Sequence, residues 1–332
     1  MGIILEKPVV DKEVFTFSQS GYKGAMVSMQ GWRSGMEDAY IAAPSMSFDE
    51  TTGFFGIFDG HGGKSTSQYC ADNLVAFLEK QIKDASLEST PTPEQYGTIL
   101  RNGFISFDQE LYAAQIMESG STGIAGFVTP THMIISNLGD SRCVLFTDVE
   151  TIPLSVDQKP DNPSEKSRIT EAGGIVFNGR VDGDLAVARA FGDFNYKRRK
   201  DLPPEAQEVS CEPEVLIRER HENDAFLLFA CDGIWDVWND MDEVREVLTE
   251  LMQSYERLED ALSSFLDLSL ERGSKDNMSV LVVLLNQPPL IDSVKVEAQK
   301  EKDRLKREAE EQAKRIEEEQ RMDNDKEISL VC

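Results

Sequence analysis

A chain of 332 residues with 40% hydrophobic side chains is long enough for one large domain or two small ones and can bury a sizeable core. Its formal charge of −26 is unevenly spread: of 34 basic and 60 acidic side chains, 10 and 13 lie in residues 287–332, which leaves 24 against 47 before Gln287. Such an acidic body repels nucleic acid and suits cations, and the longest apolar runs stop far short of the roughly 20 residues of a membrane helix.

The N-terminus lacks the basic start and cleavage site of a secretory signal. Five cysteines (Cys70, Cys143, Cys211, Cys231, Cys332) stand at irregular spacing with no CxxC pair, which suggests reduced thiols rather than a disulfide framework or zinc site. A cytoplasmic or nuclear monomer is expected. Gly2 offers an N-myristoylation acceptor, but the motif asks for Ser or Thr where Glu6 stands, which weighs against lipidation.

After a leading segment, residues 1–22, Ala25 to Gln30 alternates like a strand and runs into Gly31-Trp32-Arg33-Ser34-Gly35-Met36-Glu37-Asp38, where a cation and two adjacent carboxylates share one turn. Phe54 to Phe58 is a short apolar run that fits a buried strand and stops at Asp59-Gly60-His61-Gly62-Gly63. Helical spacing follows twice, at Cys70, Leu74, Phe77, Leu78 and Ile82 and at Leu100, Phe104, Phe107 and Leu111. Thr129-Pro130-Thr131-His132 reads as a hairpin, and the strand beyond it ends at Gly139-Asp140. Asn162 to Gly173 reads as a helix closed by glycines, and the charged stretch from Arg180 to Asp201 as an exposed flap, within about 165–205. Another apolar run, Ala225 to Cys231, ends at Asp232-Gly233; two amphipathic helices follow (Val244 to Leu251, Leu258 to Phe265), and Asp276-Asn277 precedes the last strand. Pro288-Pro289 then separates a charged tail, residues 287–332, that reads as a solvated helix with too thin an apolar stripe for a sustained coiled coil.

An Asp-Gly after a strand is ordinary turn chemistry when it stands alone. Here four strands each carry an Asp at one end, and pairing them would gather four carboxylates that need cations. Carboxylates with a backbone carbonyl are hard oxygen ligands, suited to Mg²⁺ or Mn²⁺ rather than zinc or copper. Two such ions can lower the pKa of a water held between them and aim it at phosphorus, with no serine or cysteine nucleophile. Arg33 offers a fork-shaped donor for phosphate and His61 a proton for a leaving alkoxide. The plainer readings are that Arg33 only pairs with Glu37 and that a lone histidine is structural, as His132 and His221 are taken to be.

In order along the chain, Gly31-Trp32-Arg33 with Met36-Glu37-Asp38, Phe58-Asp59-Gly60-His61-Gly62-Gly63, Gly120-Ser121-Thr122, Asn137-Leu138-Gly139-Asp140-Ser141-Arg142, Leu185 to Asp193, Ala230-Cys231-Asp232-Gly233-Ile234-Trp235-Asp236 and Ser274-Lys275-Asp276-Asn277-Met278-Ser279 resemble the landmarks of the metal-dependent protein phosphatases of type 2C, the PPM family. The resemblance implies an α+β fold, a four-layer α-β-β-α sandwich of two antiparallel sheets flanked by helix pairs, over a catalytic domain at 23–286. It implies a serine/threonine protein phosphatase with two Mg²⁺ or Mn²⁺ ions. Asp59 would bridge them, Asp232 and Asp276 would complete one site, and Glu37 with the Gly60 carbonyl the other. Asp38 would hold the water, Arg33 bind the substrate phosphate and His61 act as general acid, while Asp140 and Asp236 with Asp232 would form a weaker third metal site.

Two departures stand out: Asp157-Gln158-Lys159-Pro160 where the family often has Asp-His-Lys-Pro, and Arg180-Val181-Asp182-Gly183-Asp184-Leu185 where it often has Arg-Val-Asn-Gly-Ser-Leu. Added carboxylates there would favour basic phosphopeptides over acidic ones. The alternative from a different class is a phosphatase-like acidic scaffold whose helical tail docks a partner protein. A calcium sensor is disfavoured because the EF-hand spacing is missing.

Overall fold

The structure is a computed structural model and describes residues 4–84 and 90–331; the Gly2 acceptor and Cys332 lie outside these residues. In chain order come strands β1 (Ile4–Gln19), β2 (Tyr22–Arg33), β3 (Ala39–Ala43), β4 (Gly53–Phe58) and β5 (Gly60–His61), then helices α1 (Ser65–Asp84) and α2 (Pro93–Ala113). Next are β6 (Gly120–Ser121), β7 (Gly123–Val128), β8 (His132–Leu138), β9 (Arg142–Thr147), β10 (Thr151–Pro153), α3 (Pro163–Ala172), β11 (Val176–Phe177), β12 (Arg180–Val181) and β13 (Phe191–Gly192). The last third holds β14 (Glu214–Glu219), β15 (Asp224–Ala230), the single turn α4 (Asp232–Trp235), α5 (Met241–Ser254), α6 (Leu258–Glu271), β16 (Met278–Leu284) and α7 (Ser293–Val331).

Two sheets carry the fold, one ordered β1-β2-β16-β15-β9-β10 and the other β14-β8-β7-β4-β3, with every pair antiparallel. Because successive strand residues face opposite ways, each central strand feeds two layers. Leu227 and Phe229 of β15 join Phe55 and Ile57 of β4 in the core between the sheets. Leu228 and Ala230 turn outward to α5 and α6, and Phe54 and Phe58 turn outward to α1 and α2. This is the four-layer sandwich that the resemblance implies, and the helical spacings fall as expected: Cys70, Leu74, Leu78 and Ile82 are buried in α1, and Leu100, Phe104, Phe107 and Leu111 in α2.

Three features differ from the sequence reading. Residues 4–19 form the edge strand of the first sheet, folded back on β2 through Ser20 and Gly21, both with positive φ (53° and 86°), a two-residue hairpin turn. The charged stretch from Arg180 to Asp201 is not wholly an exposed flap, since Val187, Ala188, Ala190 and Phe191 are buried. Burial there is possible because the charges pair: Glu165 of α3 receives Arg168 and Arg189, and Lys197 meets Asp108 of α2 at 2.9 Å with both side chains only 6% exposed. Finally, α7 is docked at its start, where Val296 is buried and Gln299 reaches the Tyr255 hydroxyl at 3.0 Å.

Candidate active site

The site lies where the two sheets end together. Asp59 follows β4, Asp140 follows β8 after the left-handed Gly139 (φ 116°), Asp232 follows β15, and Asp276 precedes β16. Small residues let these ends meet. A side chain on Gly60 would strike the Glu37 carbonyl oxygen at 2.3 Å, and one on Gly233 the Asn277 carbonyl oxygen at 1.9 Å. The turn bearing Glu37 and Asp38 is stapled by Asn277, whose Oδ1 accepts from the Glu37 amide (2.9 Å) and whose Nδ2 donates to the Gln30 and Gly35 carbonyls (2.8 and 2.9 Å). The Asp38 carboxylate accepts from the Ser279 hydroxyl at 2.6 Å.

Electrostatically the cluster is self-repelling. Withdrawal from water, then Asp232, Asp38, Asp276 and Asp140, push the Asp59 carboxyl well above the ordinary carboxylate range. Burial and then Asp140, Asp276 and Asp236 do the same to Asp232. Asp38 is pushed up to about 6, chiefly by burial, against the opposing Ser279 hydrogen bond. Asp236, on the rim, is raised by burial while Lys159 opposes.

Two cations answer this repulsion. Arg33 pairs with Asp276 rather than with Glu37, and Lys159 with Asp140. Even so, Asp140 Oδ1 is buried without a partner among the described residues. A set of oxygen donors that repel one another, one of them orphaned, fits hard divalent cations. One oxygen or sulfur atom from each of Asp38, Asp59 and Cys231 lies within 4.8 Å of the others, but burial pushes the Cys231 thiol up and it donates to the Asn277 carbonyl, which leaves the carboxylates as the ligand atoms.

His61 stands beside the cluster with Nε2 2.6 Å from Asp193 Oδ2. Burial depresses its pKa, but Asp193 outweighs burial and the imidazole lies above its ordinary value. Arg33, Glu37, Asp38, Asp59, Gly60, His61, Asp140, Asp232, Asp236 and Asp276 thus all come to one end of the sandwich. The sequence reading missed Asn277 as a staple, Cys231 as a neighbour of Asp38 and Asp59, and Asp193. Gln158, which stands where the family often has His, also proves to be part of the site's support. Gln158 is buried and bridges the Gly139 amide (2.8 Å) and the Asn137 carbonyl (3.3 Å), so it shapes the turn that presents Asp140. The signal for Cys231 was its place between an apolar strand and Asp232; Asp193 closes the landmark Leu185 to Asp193, but nothing in that motif names His61 as its partner.

Residues 22–278 match the family model described as protein phosphatase 2C. The chain is 36% identical over 311 residues to protein phosphatase 1A of Bos taurus, covering 92% of this chain and 81% of that protein. It is 37% identical over 317 residues to protein phosphatase 1B of Mus musculus, covering 92% and 80%. In three dimensions it resembles the crystal structure of a phosphatase from a pathogenic strain of Toxoplasma gondii, with a TM-score of 0.72 and 28% identity over 83% of this chain and 96% of that one.

Proposed function

The chain belongs to the protein phosphatase 2C family of metal-dependent serine/threonine protein phosphatases, and from that premise we propose that it hydrolyses phosphoserine and phosphothreonine in proteins by direct attack of water, with no phosphoenzyme. The observation that supports this most is the convergence of Asp59, Asp140, Asp232 and Asp276, each from a different strand end, into one self-repelling cluster. Asp59, Asp232, Asp276, Glu37 and the Gly60 carbonyl would hold two Mg²⁺ or Mn²⁺ ions. When bound they supply positive charge for the phosphate oxygens and lower the pKa of water at the site. A weaker third ion would fall to Asp140, Asp232 and Asp236.

The side chains perform the rest. Arg33 is part-exposed and gives one amino group to Asp276, so its remaining N–H donors are free to fork onto a substrate phosphate. Asp38, braced by Ser279, orients the attacking water. His61 donates a proton to the departing seryl or threonyl oxygen. Asp182 and Asp184, in the exposed part of the flap, would draw basic phosphopeptides.

Replacing Asp59 by Asn keeps size and removes a charge. Asp59→Asn is expected to lower kcat on a phosphothreonine peptide by more than about 100-fold, beyond the usual cost of changing a residue one shell out from a metal; wild-type turnover by this variant would falsify the assignment.

A further inference from the structure

We propose that Asp193 is the positioning residue for His61, fixing its ring so that Nδ1 is the nitrogen that delivers the proton to the leaving oxygen. This rests on the phosphatase reading above and assigns a role to a residue that reading does not use. The carboxylate lies 2.6 Å from Nε2, and the two side chains are 11% and 29% exposed. Nδ1 has no hydrogen-bond partner among the described residues.

A small three-stranded sheet exists at this point and registers the pair. In it β6 lies between β5 and β13, with Gly120 opposite both His61 and Gly192. The residue after Gly192 is thereby carried across Gly120 to the ring. Only a hydrogen fits between them, since a Cβ on Gly120 would lie 2.2 Å from both Asp193 Oδ2 and His61 Nε2.

Asp193 itself adopts a left-handed backbone conformation (φ 50°). For a residue other than glycine this conformation is uncommon, and it persists where the surroundings impose it. They do so here from both sides. The Asp193 amide donates to the Ser119 carbonyl (3.3 Å), and its carbonyl accepts from the Tyr196 amide (2.9 Å). The preceding Gly192 amide donates to Asp108 (2.8 Å), the same carboxylate that holds Lys197. The local strain therefore serves to aim one carboxylate at one imidazole.

A carboxylate that accepts the N–H of one ring nitrogen fixes both the tautomer and the plane of the ring, leaving the other nitrogen for proton transfer. In the proposed step the P–O bond to the seryl or threonyl oxygen breaks with its electron pair going to oxygen, and the Nδ1–H bond breaks as the new O–H bond forms. The Nε2–H stays on the ring, donated to Asp193, so the imidazolium becomes a neutral imidazole. The proton lost by the attacking water returns to Nδ1 and restores the imidazolium.

The test is Asp193→Asn, nearly isosteric and with a side chain that tolerates the left-handed region. It is assayed on a phosphothreonine peptide, whose leaving oxygen needs a proton, and on p-nitrophenyl phosphate, whose leaving group does not. Both substrates are repeated in a His61→Gln background. The expected result is a roughly 100-fold fall in kcat on the peptide, little change on p-nitrophenyl phosphate, unchanged KM, unchanged Mn²⁺ binding by calorimetry, and no further loss when His61 is already replaced. Equal losses on both substrates, or a loss that adds to that of His61→Gln, would overturn the assignment and leave the phosphatase reading standing. Should Asp193→Asn fold poorly, Asp193→Gly, which removes the carboxylate and adopts the left-handed region freely, decides it with the same two substrates and the same double-variant comparison. A wild-type protein without metal-dependent turnover would instead overturn the reading on which the inference rests.

Discussion

Asp59 and Asp232 hold their protons far more tightly in the folded chain than they would unfolded, and Asp38 does so up to about pH 6. A raised folded pKa means that the folded state binds more protons than the unfolded one over that interval. Stability from these groups is therefore present at low pH and lost as pH rises through the folded values. In EDTA at neutral pH, Asp59→Asn should accordingly raise the melting temperature, by roughly 2–4 °C per kcal/mol of repulsion relieved, and the gain should shrink as pH falls towards 4. A destabilised variant, or a gain independent of pH, contradicts the reading of the cluster as a repulsive one. The same residue would then be both a source of instability and, with metal, indispensable to turnover. Arg33 makes a different prediction: Arg33→Ala removes a phosphate donor outside the proposed metal ligands, so KM on a phosphothreonine peptide should rise more than kcat falls. Steady-state kinetics with unchanged KM and a collapsed kcat would rule that role out.

Between residues and fold stands the segment from Phe191 to Lys197, which is tied to α2 by one buried ion pair. Removing one partner of such a pair leaves the other charged and dry, typically at a cost of about 3–5 kcal/mol. Asp108→Ala should show a loss of that order in urea unfolding and should also slow peptide hydrolysis, because Asp193 rides on the same segment. An unchanged unfolding midpoint would mean that Lys197 finds another partner. Elements of this kind explain what the sequence revealed and what it hid. The strands ending at Asp59, Asp140 and Asp232 were legible because an apolar run buried on both faces has few alternatives, and α1, α2, α5 and α6 were legible from the spacing of their buried faces. The two-residue strands β5, β6 and β13 have no periodicity to read, being set by register with one another. The edge strand β1 was missed because one face meets solvent and its polar residues blur the alternation.

At the scale of the molecule, two sheets back to back bring the ends of four separate strands to one rim, and the helix pairs cover the outward faces of the sheets. That convergence could be anticipated from the recurrence of a terminal Asp, and the ordered motifs made it specific. Which cation answers which carboxylate could not be anticipated, because Arg33 to Asp276 and Lys159 to Asp140 depend on side-chain directions that spacing leaves free. No described helix is long and apolar enough to cross a membrane, and α7 extends as a charged helix from its anchor on α5. The most direct measurement strips the protein with EDTA and follows phosphate release from a phosphothreonine peptide as Mg²⁺ or Mn²⁺ is added back, with Asp59→Asn in parallel. Turnover that is absent without metal, returns with it, and returns only in the wild type is the predicted result. Turnover that survives EDTA, or a folded wild-type protein that stays inactive at saturating metal, would contradict the account.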